Sequence, residues 1–222
     1  KSLAVNLSDF AAMGAKPHFV HVSLALPNDI SEDWLLSYYS GMTSLADSYQ
    51  VEVVGGDLSL SPGPIMIDVN VIGEVAHPIT RHGAQDGDWL AVTGSLGTSH
   101  AGMLALQKEL YIYAEATQKH LRPNPRLDVA AILNKHNLNA ETVHAMMDCS
   151  DGLVNDLFHL TREFEIGVEL TEAEIPISSD ARHLAASLKQ SPIDWALWGG
   201  EDYELLLAIK KKKKDELKYI FE

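Results

Sequence analysis

Apolar side chains recur along this chain with two spacings, every third or fourth residue in some segments and every second residue in others. The first spacing places apolar side chains on one face of a helix, and the second places them on one face of a strand. Trp34, Tyr38 and Met42 keep the helical spacing, and Ser31 is suited to cap the first turn before them. We predict helices at Ala4–Met13, Glu32–Tyr49, Ser99–Leu110, Pro125–Lys135, Leu153–Phe164 and Ser178–Leu188.

The segments between these helices have the pattern of strands. His18–Leu26 alternates apolar and polar residues, and Ile65–Val75 is rich in β-branched residues, which favour strands. Strands separated by helices predict a mixed α/β (α+β) protein whose sheets are each covered on one face. The predicted strands are His18–Leu26, Val51–Val54, Ile65–Val75, Trp89–Thr93, Val143–Met147, Ile166–Leu170 and Leu205–Ile209.

Three further segments complete the organisation. His77–Gly87 is polar and glycine-rich, so we place a boundary there, with lobes at residues 1–78 and 79–222. Two prolines make His120–Arg126 an extended loop, because proline disfavours a helix at the residue before it. Five lysines, Lys210–Lys214, are expected to begin a solvated helix and not to bind a polyanion. Lys1 begins within a helical pattern, so we expect the chain to be part of a longer protein.

Composition excludes several classes of function. The chain has 222 residues and a formal net charge of −14, which disfavours nucleic acid and anionic membranes as partners. It has no apolar run of about 18 residues, so we expect no membrane span. The single Cys149 excludes an internal disulfide and a cysteine-rich metal site, and it is typical of a cytoplasmic protein.

The most informative stretch is the acidic turn Asp148–Gly152, which follows a predicted strand and precedes a predicted helix. The amino end of a helix favours phosphate oxygens, and carboxylates hold Mg²⁺. Capping of the helix would explain one acid, but not both Asp148 and Asp151. Cys149 has no neighbouring base in the sequence, so a buried thiol is favoured over a nucleophile.

Three more acidic positions lie near glycines or on the first helix. Gly56 and Asp57 follow a strand, although glycine and aspartate also suit a plain tight turn. Asp9 lies on the first predicted helix, where a solvated acid is the alternative, and Gly199–Glu204 precedes the last strand. Arg81 could clamp a phosphate or remain solvated. Together these positions predict a nucleotide–metal centre.

Other common sites are disfavoured. The turn Gly94–Gly97 lacks the lysine of a phosphate-binding P-loop, so we expect only a turn and a helix cap there. The histidines do not have the spacing of a zinc site, and no serine-hydrolase elbow is present.

The order of these motifs resembles that of the thiamine-monophosphate kinases, within the aminoimidazole-ribonucleotide synthetase-like superfamily. The resemblance extends from Lys1 to about Ile209. The matching stretches are Asn6–Ala15, Gly55–Asp57, Thr80–Arg81, His120–Arg126, Asp148–Gly152 and Gly199–Glu204.

This resemblance implies a two-lobed fold, a homodimer paired through the amino-terminal sheet, and phosphorylation of thiamine monophosphate to thiamine diphosphate. ATP is the implied co-substrate and Mg²⁺ the implied cofactor, and no residue is assigned a catalytic role. The implied metal ligands are Asp9, Asp57, Asp148 and Asp151, the implied ATP contacts are Gly56, Asp57, Arg81 and Ser150, and the implied contact to thiamine monophosphate is Glu201.

The chain also departs from the family pattern. A Gly-Asp-Asp metal motif and a closing aromatic segment, both typical of the family, are absent from it. Two alternatives therefore stay open: another ATP-dependent enzyme of the superfamily, such as the purine cyclo-ligase, and a non-catalytic nucleotide-binding fragment.

Overall fold

The computed structural model of this chain describes residues 1–162 and 166–221. They contain two three-stranded sheets. In the first sheet, β1 (Lys16–Leu26) lies in the middle, parallel to β2 (Glu52–Leu60) and antiparallel to β3 (Met66–Glu74). In the second, β6 (Glu204–Ile209) lies between β4 (Trp89–Val92) and β5 (Val143–Cys149), antiparallel to both. The helices are α1 (Ser2–Ala12), α2 (Glu32–Ser48), α3 (Thr98–Gln107), α4 (Ala114–Leu121), α5 (Leu127–Lys135), α6 (Leu153–Thr161), α7 (Ser179–Leu188), α8 (Pro192–Trp198) and α9 (Lys214–Phe221).

Helix α1 packs against both sheets. Leu3 and Leu7 join the cluster that covers the first sheet, where Val22 of β1 is buried. One turn later, Ala11 and Ala12 join the cluster under Leu205 of β6. The residues between these two contacts therefore lie where the two sheets approach each other. The division of the chain at residue 78 stays a prediction.

The two sheets differ in how they are covered. The first has helices on one face, as expected, because Val20 and Val22 of β1 face α1 and α2. The second is covered on both faces, so the expectation of one covered face is wrong for it. Alternate residues of β6 enter different clusters: Leu205 and Leu207 pack towards α5, whereas Leu206 packs towards α6. A strand buried on both faces is apolar throughout, as Leu205–Ile209 is.

The other face of the first sheet carries exposed apolar side chains. Phe19 of β1 and Ile72 of β3 are register partners, and they are 42% and 54% exposed. Met66 lies on the same face, opposite Ala25, and is 61% exposed. We call this surface the open face.

Several sequence-based assignments are corrected by the structure. The predicted strand Ile166–Leu170 has no regular structure, and the predicted loop residues His120 and Leu121 close helix α4. The helix ends there because Arg122, which precedes Pro123, leaves the helical region. The predicted helix Leu153–Phe164 is observed as far as Thr161 in α6, and residues 163–165 lie outside the described part of the chain.

Two other elements were missed or shortened. Helix α8 was not predicted, although Ser191 caps it and Pro192 occupies its first position, a typical helix start. The strand predicted at Val51–Val54 continues through the glycines to Leu60, because they pair with β1. A side chain at Gly56 would place its Cβ 1.8 Å from the Val22 carbonyl oxygen, so only glycine fits.

The helix expected at the lysine run is confirmed. Helix α9 follows the lysine run, and Lys210–Lys212 are exposed. Within the described residues, no helix combines the length and the apolar character that a membrane span requires.

Replacing Leu24 by alanine tests the assigned core of the first sheet. Leu24 is 1% exposed, so its truncation leaves a cavity and should lower the free energy of unfolding by about 2–5 kcal/mol. Leu36, which is 59% exposed on α2, is the matched control, and its Leu→Ala change should cost less than about 0.5 kcal/mol. Chemical denaturation measures both values, and equal losses would contradict the assigned core.

Candidate active site

One hydrogen bond joins the first helix to the end of β5. The Ser8 hydroxyl on α1 donates to Asp148 Oδ2 at 2.7 Å, and both side chains are buried. Burial raises the pKa of Asp148 to about 6; the bond from Ser8 opposes this shift, and the nearby charge of Asp9 adds to it. The two carboxylates repel each other when both are ionised, so a cation bound beside them would be stabilised.

The turn after Asp148 is shaped by its glycine. Gly152 has φ +96°, a value that side-chain-bearing residues rarely adopt, and α6 starts directly after it. A Cβ there would lie 3.0 Å from the carbonyl carbon of Trp198. Asp151 is exposed, and its backbone N–H donates to the Asp156 carboxylate at 3.2 Å. The turn therefore presents Asp151 to solvent at the amino end of a helix.

The second acidic turn, Gly199–Glu204, is bonded directly to the first. The Glu201 N–H donates to the Ser150 carbonyl at 2.8 Å, and the Tyr203 N–H donates to the Cys149 carbonyl at 2.9 Å. A Cβ on Gly200 would lie 2.5 Å from the Ser150 carbonyl oxygen, so glycine permits this approach. The two turns consequently form one unit, which we call the paired turns.

Tyr203 lies among the predicted site acids. Burial raises its pKa to about 12, and the charges of Glu201, Asp148, Asp151 and Asp9 act in the same direction. The phenol therefore keeps its proton at neutral pH and can donate a hydrogen bond beside these carboxylates. Sequence reasoning gave Tyr203 no role, although it stands between two acids of the turn.

The structure thus brings Asp9, Asp148, Asp151 and Glu201 together, with Ser150 in the same unit. Asp57 lies elsewhere, on β2. Its register partner is Ser23, whose neighbours in β1 face the core, so Asp57 points to the open face. It accepts a hydrogen bond from Ser59 at 2.5 Å. The interactions that join the other acids do not include Asp57, and its role as a metal and ATP ligand stays a prediction.

Gly56 and Arg81 also stay predictions. Gly56 has a structural reason to be glycine, namely its close approach to β1. Arg81 is an exposed loop residue beside β5, because the carbonyl of the preceding Thr80 accepts the Met146 N–H at 3.0 Å. Its guanidinium is accessible to a ligand.

The carboxylate oxygens at this site suit Mg²⁺ better than a metal whose whole coordination shell comes from the protein. Among the residues that the structure describes, no three or more His, Cys, Asp or Glu form a set that could hold a metal ion. Mg²⁺ usually takes one or two carboxylates and completes its shell with water and phosphate oxygens. Asp148, with Asp9 nearby, offers this kind of partial oxygen shell.

Three acids of the second turn make contacts that the sequence did not predict. Asp202 is buried and accepts the N–H groups of Gly97 and Ser99 at the start of α3. It thereby supplies the helix cap that was expected at the turn Gly94–Gly97. Glu204 is buried among cationic side chains. Glu201 pairs with Lys1 Nζ at 2.9 Å.

Cys149 is a structural thiol, as the sequence indicated. It is 1% exposed, and burial raises its pKa above the ordinary range of a thiol. A nucleophilic role is therefore excluded for it on physical grounds.

Comparison with family models gives two matches that together cover most of the chain. Residues 1–75 match the model described as AIR synthase related protein, N-terminal domain. Residues 85–222 match the corresponding C-terminal domain.

Individual relatives are similar over nearly the whole chain. The thiamine-monophosphate kinase of Aquifex aeolicus is 36% identical over 217 residues, which cover 96% of this chain and 69% of that protein. The Escherichia coli K12 kinase is 35% identical, covering 98% and 66%. A solved structure described as AaThiL complexed with AMPPCP and TMP superposes with a TM-score of 0.87 at 35% identity, covering 95% and 67%. The chain thus spans about two thirds of the length of these relatives.

Replacing Asp148 by asparagine should stabilise the metal-free protein. The native pKa of about 6 lies above the ordinary value of 3.8, so the native state binds more protons and loses stability as pH rises between these values. Asparagine avoids this loss, so the variant should gain about 1–3 kcal/mol at about pH 7 and nothing below about pH 4.

Chemical denaturation in a chelating buffer at both pH values measures the difference. The exposed Asp29→Asn is the control and should change the free energy of unfolding by less than about 0.5 kcal/mol. A variant that is less stable than the parent at neutral pH would contradict the assigned burial of the Asp148 charge.

Proposed function

The chain belongs to the AIR synthase related proteins and, within them, to the thiamine-monophosphate kinase family, and on this premise we propose that it transfers the γ-phosphoryl group of ATP to thiamine monophosphate. The products are thiamine diphosphate and ADP. A relative that is 35% identical was solved with AMPPCP and TMP, which supports this pair of substrates.

One observation carries the proposal: the paired turns hold Asp148 and Asp151 beside Glu201 through backbone hydrogen bonds. Two anionic phosphates repel each other, so the site must screen their charge and align them before transfer. The amino end of α6 and the carboxylates that precede it suit the phosphates and their cation. Glu201, in the adjoining turn, is the proposed contact to thiamine monophosphate.

In this proposal the site residues have two roles, metal binding and ATP binding. Asp9, Asp57, Asp148 and Asp151 hold Mg²⁺, which screens the phosphate charges when it is bound. Gly56, Asp57, Arg81 and Ser150 contact ATP, with the Arg81 guanidinium suited to a phosphate. A phosphate oxygen of the acceptor attacks the γ-phosphorus while the bond to the leaving ADP breaks. The acceptor phosphate is already ionised, so no general base is needed and no catalytic residue is assigned.

Formation of thiamine diphosphate from thiamine monophosphate, ATP and Mg²⁺ tests the proposal. Asp148→Asn and Asp151→Asn should each lower the rate by about 10²-fold or more, because charge stabilisation is lost where the phosphates meet. The fold should persist in both, as circular dichroism would show. Full activity in either variant would overturn the assignment of that residue, and no product from the parent would overturn the proposed reaction.

We also propose that the open face of the first sheet pairs with a second copy of the chain to form a homodimer. Exposed apolar groups concentrated on one sheet face are typical of an interaction surface. Phe19, Met66 and Ile72 supply these groups. Asp57 lies on the same face, so a dimer formed there would place this predicted ligand at the interface.

Replacing Ile72 by aspartate should dissociate this dimer, because a charge would be buried in an apolar contact. Sedimentation equilibrium should show a monomer for this variant and a dimer for the parent. Leu36→Asp, on the exposed side of α2, is the control and should stay dimeric. A dimeric Ile72→Asp variant would contradict pairing through this face.

We propose that the protein is cytoplasmic, because its one cysteine is a buried free thiol, which suits a reducing compartment.

A further inference from the structure

In the turn that carries Glu201, residues with a left-handed backbone conformation alternate with residues whose side chains are held by other parts of the chain. Glu201 has φ +66° and Tyr203 has φ +50°, values that are unfavourable for residues with a side chain. Such conformations persist only where the surrounding contacts enforce them, and they are common at functional sites. Both left-handed residues belong to the candidate active site, so the contacts that enforce them bear on its function.

The residue between them, Asp202, is fixed by α3. Its two carboxylate oxygens accept the Gly97 N–H at 2.6 Å and the Ser99 N–H at 2.8 Å. Asp202 is buried, which raises its pKa to about 6, and the two N–H groups at the start of the helix oppose this shift by favouring its charged form. This contact fixes one side of the turn.

The residue after them, Glu204, is fixed by cations from a different part of the chain. Its side chain is 5% exposed, and Arg126 Nη1 lies 2.8 Å from Oε2. Thr93 Oγ1 donates to the same oxygen at 2.6 Å, and Lys119 Nζ donates to Oε1. A buried carboxylate with three charged or hydroxyl donors is held in one orientation.

These cations come from the last turn of α4 and the proline-containing loop that follows it. Lys119 lies on α4, and the next residue, His120, places its Nδ1 3.4 Å from Glu201 Oε2. Arg126 ends the loop and also bonds Asp128 at the start of α5 through both of its other nitrogens, each at 3.0 Å. The segment from 119 to 126 thus contacts the acidic turn through Lys119, His120 and Arg126. These contacts give the segment a structural role, which the phosphoryl transfer itself does not require.

We propose that Lys119 and Arg126 are positioning residues for the acceptor: through Glu204 they hold the turn so that Glu201 keeps its left-handed conformation and meets thiamine monophosphate. This inference rests on the proposed function of Glu201. Both cations are bound to Glu204, and neither belongs to the predicted contacts to ATP, which lie on the other turn, on β2 and at Arg81. Loss of either cation should therefore weaken acceptor binding selectively.

The variants Lys119→Met and Glu204→Gln test the proposal in the full protein. Lys119→Met keeps the length of the side chain and removes its charge, and Glu204→Gln keeps the shape and removes the opposite charge. Each should raise the KM for thiamine monophosphate by about tenfold, because small misplacements of a binding group are costly, while the KM for ATP changes less than about twofold. Lys119→Arg should restore the parent value.

A double-mutant cycle separates positioning from a general loss of structure. In a Glu201→Gln background, adding Lys119→Met should raise the acceptor KM no further, because the cation acts through Glu201. Additive effects, or equal changes in both KM values, would overturn the proposal. Glu216→Gln, which breaks the exposed pair between Glu216 of α9 and the preceding Lys213, is the matched control and should leave both KM values unchanged.

A readout independent of turnover is the amide resonance of Glu201, whose N–H bonds the Ser150 carbonyl. The resonance should shift in Lys119→Met and stay in place in Glu216→Gln. An unmoved resonance in Lys119→Met would overturn the positioning role even in an inactive protein. Absence of thiamine diphosphate from the parent would instead overturn the proposed reaction, so the two failures are distinguishable.

Discussion

The burial of α1 between the two sheets is the constraint on which the candidate site depends. Leu7 must pack on the first sheet and Ala11 under the second, so the residues between them lie at the junction. Ser8 then meets Asp148 at the end of β5, and Asp9 lies near the same carboxylate. Packing of apolar side chains, far stronger in sum than one hydrogen bond, thus sets the position of the acidic group.

The site contains energetically unfavourable features, and a bound cation would relieve the repulsion between its carboxylates. Asp148 is buried with a second carboxylate nearby, and Glu201 and Tyr203 hold left-handed conformations. The surrounding contacts hold these groups in place: Arg126 lies against the Glu204 carboxylate, and the start of α3 binds Asp202. Such features are typical of active sites, where unfavourable groups persist because the surrounding structure enforces them.

The secondary structure around the acidic turn Asp148–Gly152 and Asp9 could be predicted from the sequence, because it depends on local patterns of residues. Asp148–Gly152 lies between a strand and a helix, as its flanking residues indicated, and Asp9 fell on the predicted first helix. The surroundings of Glu204 and Asp57 could not be predicted, because they depend on contacts between residues far apart in the sequence. Glu204 is buried by cations at positions 119 and 126, and α4, which supplies one of them, is too short for a clear periodic signal. The isolated acids likewise do not indicate that Asp57 lies on the open face of the first sheet.

The central claim is that the paired turns form the site where ATP and thiamine monophosphate meet. The most direct test is a crystal structure of the full protein with an ATP analogue, thiamine monophosphate and Mg²⁺. We expect oxygens of Asp148 and Asp151 at about 2.0–2.1 Å from Mg²⁺, with the metal bridging to the nucleotide phosphates and Glu201 against the thiamine end. Phosphates bound away from the turn Asp148–Gly152, or an acceptor remote from Glu201, would contradict this account.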